Sequence, residues 1–285
     1  MIAAESATPA ESPAQLFLPL PLFAPIAVLA ATEIPSAVPT VEDDRLRMCV
    51  EQAASDPASA LAEAGRWVAQ ARGSARSKPL QCLGHVHAVM LRWHAAEAAF
   101  AEAAAVAAAG DPLRLAAVLG QAGNAALAGN QPERALAHFD AALKQPSGGP
   151  AARGQLQLDR ARALVGLDRA EEAKVAFAAA QRDAPEEPLV WLLSATFARR
   201  SSDLTSAQRL IEVASNLAPG DPDIGLEAGV IAVLGGREAA ARQSWQSVRR
   251  IAPTSKAAEI ARTYLDQLDP ARPDSAQPEL GESGR

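Results

Sequence analysis

Small and large apolar residues recur at a fixed period of 34 residues in the second half of the chain, between Leu156 and Pro253. Each copy has a small residue, a large apolar residue four positions later, a second small or medium residue and then a proline. A period of this length is typical of a solenoid, whose units bury their apolar faces only against neighbouring units. The three regular copies are Ala173, Phe177, Ala180 and Pro185; Ala207, Ile211, Ala214 and Pro219; and Ala241, Trp245, Val248 and Pro253.

Two less regular copies precede these three. The loop at residues 147–150 separates them from the regular part, and it explains why Phe139 and Phe177 are 38 residues apart. We therefore interpret the change of period as a loop insertion within the same fold. The two copies are Ala96, Phe100 and Ala103, and Ala135, Phe139, Ala142 and Pro146.

The spacing of apolar residues by three and four predicts helices throughout, with no strands. Helix starts are indicated by Asp-Pro pairs at 56–57, 111–112 and 221–222, because the carboxylate can cap the first turn and proline lacks a donor that would be unpaired there. Asp168 and Glu171 have the spacing of a capping box. The predicted helices span residues 42–54, 57–72, 79–93, 94–109, 112–128, 132–144, 151–165, 170–183, 188–200, 204–217, 222–234, 237–251 and 255–268.

The composition agrees with closely packed helices. Apolar residues make up 49% of the 285 residues but aromatic residues only 4%, and alanine, the commonest apolar residue, is the strongest helix former. The net charge is −6, which argues against a nucleic-acid partner because such proteins usually carry a basic patch.

The two ends of the chain differ from the repeats. Residues 1–42 contain no lysine or arginine, and three prolines interrupt an apolar run from Leu16 to Ala31. The run is too short and too rich in proline for a stable membrane span. It ends like a signal peptide but lacks a basic start, so two alternatives stay open: an exported, periplasmic protein, or a cytoplasmic one with a disordered apolar segment. The tail, 269–285, is predicted to be disordered.

The repeats resemble the tetratricopeptide repeat (TPR) of bacterial proteins, a helix-turn-helix unit of 34 residues. Trp191 matches the tryptophan of its first helix, and Leu83-Gly84 matches its Leu-Gly pair, with Gly123 and Gly229 at the same glycine position. The tyrosine of the first helix is absent in every unit. The resemblance covers 79–253 as five units, with a degenerate sixth at 43–78. It implies an all-α, right-handed solenoid of antiparallel helix pairs over 43–268, closed by a capping helix at 255–268.

The resemblance also implies a binding surface, because TPR proteins bind polypeptides on the concave face lined by their first helices. Asparagine and arginine there could hold a peptide backbone or a carboxylate; the alternative is that these residues are simply solvated. Apolar residues at the C-terminal end of the groove, Leu192, Leu226, Val230 and Val233, suit an apolar peptide. The candidate peptide-binding residues are Asn124, Gln155, Arg162, Thr196 and Arg199.

The sequence shows no motif of a known catalytic, phosphate-binding or metal site, so we expect neither an enzyme nor a bound cofactor. His85 and His87 are two residues apart, and on a helix they point to different faces, so they are not expected to share a metal ion.

Cys49 and Cys82 are 33 residues apart, almost one repeat. If the degenerate unit exists, they lie at similar heights on neighbouring first helices, within the distance that a disulfide requires. An exported protein is expected to form this bond, whereas a cytosolic one would keep two buried thiols.

The sequence supports two hypotheses of function. In the first, the protein is a non-enzymatic scaffold or adaptor that binds a partner polypeptide in its groove. In the second, it is architectural: it self-associates as a homo-oligomer, or its own N-terminal segment fills the groove.

Overall fold

The computed structural model describes residues 40–107 and 112–268, so the predicted signal-like segment, apart from residues 40–42, and the predicted tail from 269 lie outside the described residues. The described residues form helices and no strand, which confirms the all-α prediction. The helices are α1 (Val41–Ser55), α2 (Pro57–Gln70), α3 (Ser77–Val89), α4 (Trp93–Ala107), α5 (Pro112–Ala128), α6 (Pro132–Leu143), α7 (Pro150–Gly166), α8 (Ala170–Asp183), α9 (Pro188–Arg200), α10 (Leu204–Leu217), α11 (Pro222–Leu234), α12 (Glu238–Ile251) and α13 (Lys256–Leu268), with a short 3-10 helix at Gly73–Arg76 before α3.

Two of the three Asp-Pro starts are described, and both form the predicted caps. The side chain of Asp56 accepts a hydrogen bond from the backbone amide of Ser59 at 3.1 Å. Asp221 accepts from the amides of Asp223 and Ile224 at 2.8 and 3.2 Å. Asp111 lies outside the described residues.

The predicted capping box at Asp168 is wrong. Arg169 is the N-cap residue of α8 and makes no side-chain cap bond, while Asp168 has a left-handed backbone with φ 56°. The reason is the turn between the two helices of a pair, which needs one left-handed residue just before the second helix. The same conformation occurs at Leu91, Asn130, Ser202 and Gly236. Leucine is unusual there because its Cβ crowds the following carbonyl.

The described helices belong to two compact units, 40–186 and 187–268. In 40–186, successive helices from α3 to α8 pack against one another, and first helices of neighbouring pairs also touch, α1 on α3 and α5 on α7. In 187–268, α9 to α13 pack in the same way, with α9 on α11, and α13 covers α11 and α12. Contacts between both sequential and alternate helices are the packing pattern of an α-solenoid. None of the described helices is long and apolar enough to cross a membrane.

Each helix pair is built around the bulky residue of the repeat. Phe100, Phe139, Phe177, Ile211 and Trp245 are at most 3% exposed, and the small residues that flank them are equally buried.

The bulky side chains need space on the paired first helix, which glycine provides. A Cβ atom added at Gly84 would lie 2.6 Å from the ring of Phe100, and one at Gly123 would lie 2.5 Å from the ring of Phe139. A Cβ at Gly229 would overlap the indole of Trp245. The glycines of the repeat therefore let two helix backbones approach closely enough to enclose an aromatic ring.

The first helix pair is joined covalently to the next one. Cys49 on α1 and Cys82 on α3 form a disulfide, with their Cα atoms 5.9 Å apart. Both cysteines lie in an apolar cluster that also contains Trp67 of α2, and the guanidinium of Arg45 lies 4.3 Å from the centre of the Trp67 ring. This arrangement connects all three helices α1, α2 and α3.

Substitution of Gly123 by alanine should destabilise the protein, because the new methyl group would overlap the Phe139 ring. We expect a loss of about 1–3 kcal/mol in the free energy of unfolding. Gly65, an exposed glycine inside α2 with no neighbour within 4 Å of a new Cβ, is the matched control. Gly65→Ala should stabilise the helix by about 0.5–1 kcal/mol. Urea unfolding checks both, and an equal shift of the two variants in the same direction would contradict the packing described.

Reduction of the disulfide should lower the free energy of unfolding by about 4 kcal/mol, because the bond closes a long loop in the unfolded chain. Urea unfolding with and without dithiothreitol measures the effect, and the Cys49→Ala/Cys82→Ala variant should not respond to the reductant. The mass of protein isolated from its native compartment without reductant should be lower by two hydrogens. Two free thiols in that sample would instead support the cytosolic alternative.

Candidate functional site

Three of the predicted binding residues converge on one buried carboxylate in unit 40–186. Asp159 of α7 is 2% exposed. It accepts hydrogen bonds from Nδ2 of Asn124 at 3.2 Å, from Nε2 of Gln155 at 3.3 Å and from Nη1 of Arg162 at 3.0 Å. Gln155 and Arg162 are one turn before and one turn after Asp159 on the same helix, so all three side chains share a face. Asn124 reaches this face from the neighbouring first helix, α5.

Asp159 is not among the residues predicted from the sequence. The signal that could have found it is a carboxylate placed one helical turn from both Gln155 and Arg162, a spacing that brings donor and acceptor together. A buried carboxylate is tolerated only when it is paired and hydrogen-bonded, and the three donors satisfy that need. They are therefore held in place before any ligand arrives.

One nitrogen of the Arg162 guanidinium is not used by this cluster. The Nε atom is buried and has no hydrogen-bond partner among the described residues. A buried donor of a charged group without an acceptor is costly.

A second group of polar side chains continues the same face. Gln121 lies one turn before Asn124 on α5, and its Nε2 is 3.4 Å from Nε2 of His85 on α3. Oε1 of Gln121 is buried and has no partner among the described residues. We call this set the polar row: His85, Gln121, Asn124, Gln155, Asp159 and Arg162.

His85 is a neutral member of the polar row at physiological pH. Its ring is buried and packs edge-on against the ring of Phe100, with centroids 5.1 Å apart. Burial lowers the pKa of His85 from 6.5 to about 4, because an imidazolium ion would lose its hydration there.

His87 lies two residues after His85 on α3 and is half-buried. Burial and the nearby charge of Arg92 lower the pKa of His87 as well, and its Nδ1 atom has no hydrogen-bond partner in the described part of the chain. Across residues 40–107 and 112–268, no three histidine, cysteine, aspartate or glutamate side chains gather as a possible metal-ligand set.

The two remaining predicted residues lie in unit 187–268 and bond within it. The guanidinium of Arg199 on α9 donates from Nε to Oε1 of Glu227 at 2.6 Å and from Nη2 to Oε2 at 3.4 Å. Both side chains are almost fully buried, at 8% and 2% exposure. Thr196 is also buried, and its hydroxyl donates to the carbonyl of Leu192 at 3.0 Å. Sequence reasoning missed Glu227, whose partner lies 28 residues away.

The apolar end of the predicted groove is partly closed in the structure. Leu226 and Val230 are 1% and 3% exposed, in a cluster with residues of α13 that include Tyr264. These two residues are therefore core residues and not an open apolar surface. Leu192 and Val233 are half-buried. Leu226 and Val230 are covered, contrary to the prediction, because the capping helix α13 packs on α11.

Comparison with known proteins identifies the fold. No protein-family model matches the sequence, and no curated protein matches it. Among solved structures, PilW, described as a widely conserved type IV pilus biogenesis factor, is 15% identical with a TM-score of 0.65, covering 79% of this chain and 100% of its own. The Pseudomonas aeruginosa protein PilF is 14% identical, with a TM-score of 0.58 and coverages of 79% and 100%. The apo form of RapI is 13% identical, with a TM-score of 0.66 and coverages of 79% and 67%.

Identities this low show a shared fold and nothing further. The prediction of a TPR-like α-solenoid is confirmed by these matches together with the helix pairs described above.

Protonation of His85 should destabilise the folded protein in mild acid. Its pKa of about 4 in the folded state lies below the ordinary value of 6.5, so the unfolded chain binds the proton first. The free energy of unfolding has its full value above pH 6.5. It decreases by up to roughly 3 kcal/mol as the pH falls towards 4. His85→Gln should remove this part of the pH dependence of urea unfolding. An NMR titration that finds His85 ionising near 6.5 would contradict the buried position.

Proposed function

We propose that this protein is a non-enzymatic scaffold that binds an extended segment of a partner polypeptide on the polar row. The observation that carries the proposal is the set of half-buried side chains Asn124, Gln155 and Arg162, which Asp159 holds together. The two amide groups each carry a donor and an acceptor, and the guanidinium carries further donors. A polypeptide backbone offers the matching amide hydrogen and carbonyl oxygen in every residue.

The charges of the polar row favour a backbone over a charged chain terminus. The carboxylate of Asp159 offsets the guanidinium of Arg162 at 3.0 Å, and His85 is neutral at physiological pH because its pKa is about 4. The row therefore has no net charge. A free C-terminal carboxylate would have to compete with Asp159 for the arginine, whereas the polar, uncharged backbone does not.

The fold supports an interaction role in general. An α-solenoid stacks its units so that successive first helices form an extended surface, which suits an extended ligand. PilW, which shares the fold, is described as a type IV pilus biogenesis factor, and its likeness to this chain is one of fold. His85 is buried and His87 is half-buried, both with lowered pKa values, and we infer structural rather than catalytic roles for both.

Peptides selected on the full-length protein should depend on the side chains of the polar row. Random peptides of about twelve residues would be selected by phage display, and their Kd measured by fluorescence anisotropy. Arg162→Lys keeps a charge beside Asp159 but removes the planar guanidinium donors, and Gln121→Ala removes a side-chain amide. Loss of a hydrogen bond to a charged group costs about 1.5–3 kcal/mol, so we expect Arg162→Lys to weaken binding about tenfold or more.

Lys174→Ala, an exposed change on the second helix α8, is the control and should leave Kd unchanged. Thermal unfolding would verify that each variant is folded. Equal binding by wild type and both polar-row variants would overturn the proposal. A molecular mass that rises with concentration in light scattering, together with no peptide selection, would favour the self-associating alternative.

A further inference from the structure

A cleft with basic walls lies in unit 187–268 and shares no residue with the polar row. It has a volume of about 670 Å³ and is formed by the C-terminal half of α12, the turn at 252–255 and the first half of α13. We call it the basic cleft. The charged residues that line it are Arg249, Arg250, Lys256, Glu259 and Arg262, and all five are exposed.

The cleft is positive although the protein as a whole has a net charge of −6. Its single acidic residue, Glu259, is paired with Lys256 at 2.9 Å. The guanidinium of Arg250 donates to the hydroxyl of Ser247 at 3.1 Å, which leaves its charge uncompensated. Among the described residues, no carboxylate lies within ion-pairing distance of Arg249, whereas Glu259 interacts electrostatically with Arg262 one turn away on α13. Two of the four cations, Arg249 and Arg250, thus have no ion-pair partner in this part of the chain.

The helix dipoles of α12 and α13 account for only part of this positive charge. Arg249 and Arg250 lie in the last turn of α12, where cations compensate the negative end of the helix dipole. Lys256 lies in the first turn of α13, where the dipole disfavours a cation. The backbone amides of that turn also lie at the cleft, and the hydroxyl of Ser255 caps only the amide of Ala258, at 3.1 Å. The cleft therefore combines side-chain cations with the positive end of α13 and the negative end of α12.

We propose that the basic cleft is a second docking site, which binds an acidic segment of a partner polypeptide. Carboxylates of such a segment would pair with Arg249 and Arg262 and lie near the first turn of α13. Charge complementarity is the argument for this occupant, since arginine forks and a helix N-terminus both favour carboxylates. The four cations of the cleft form a smaller basic patch than the basic stripe that nucleic acid requires, so an acidic polypeptide is the favoured occupant.

The test uses a fluorescein-labelled peptide that contains four Asp-Glu pairs, and a second peptide in which the acids are replaced by Asn and Gln. Binding to the full-length protein is followed by anisotropy. We expect the acidic peptide to bind more tightly than the amide peptide by about tenfold or more, and to weaken strongly between about 50 and 500 mM NaCl.

The variant Arg249→Gln/Arg262→Gln should weaken binding of the acidic peptide by about tenfold or more. The matched control, Arg200→Gln/Arg209→Gln, removes the same charge from exposed positions of the same unit and should change Kd less than twofold. All four positions are exposed, so both proteins should fold normally, which thermal unfolding verifies. Equal weakening by the two double variants would overturn the proposal, because net charge alone would then explain binding.

Two further measurements test whether something other than an acidic partner segment occupies the basic cleft. A chain that ends at Leu268 lacks the sequence 269–285, which contains four acidic residues. If this truncation raises the affinity for the acidic peptide about tenfold, the tail and not a partner fills the cleft. The proposal then fails. It also fails if single-stranded oligo-dT binds through Arg249 and Arg262 more tightly than the peptide. Arg162→Lys should leave acidic-peptide binding unchanged, so the outcome is independent of the function proposed for the polar row.

Discussion

The close approach of two helices around one bulky side chain is the constraint on which the structure depends. In three pairs the aromatic ring lies where the first helix has a glycine: Phe100 against Gly84, Phe139 against Gly123 and Trp245 against Gly229. The ring fills the space that a side chain would occupy, so both backbones and the ring are in contact at interior packing density. The distance between helices set at these contacts also determines which polar side chains of neighbouring first helices can reach one another.

Buried carboxylates form a second set of contacts between the helices. Glu97 of α4 is 1% exposed and pairs with Arg134 at 2.8 Å and His138 at 2.9 Å on α6. Glu227 binds Arg199 across α9 and α11, and Asp159 binds donors from α5 and α7. Loss of one partner would strand a buried charge, which is strongly destabilising. These pairs therefore restrict how neighbouring helices can slide. Arg162 and Arg199, which were predicted to bind a ligand, have hydrogen-bond partners within the protein.

The two candidate interaction surfaces differ in charge and therefore in the ligands they favour. The polar row has no net charge and consists of half-buried amide and guanidinium side chains around the buried Asp159. The basic cleft is exposed and positive. The first surface suits the directional hydrogen bonds of a peptide backbone, whereas the second suits salt-sensitive attraction of acidic side chains.

The sequence by itself determined the helices and the repeat. The bounds of α5, α8, α9, α10 and α11 agree with the structure at both ends, because helix periodicity, Asp-Pro caps and turn residues act over a few positions. Tertiary structure decided the rest: Asn124 as a donor to Asp159, Glu227 as the partner of Arg199, and α13 as the cover of Leu226 and Val230. These contacts mostly join residues on different helices, and a hydrogen-bond partner about 30 residues away depends on how helices pack, which no local pattern specifies.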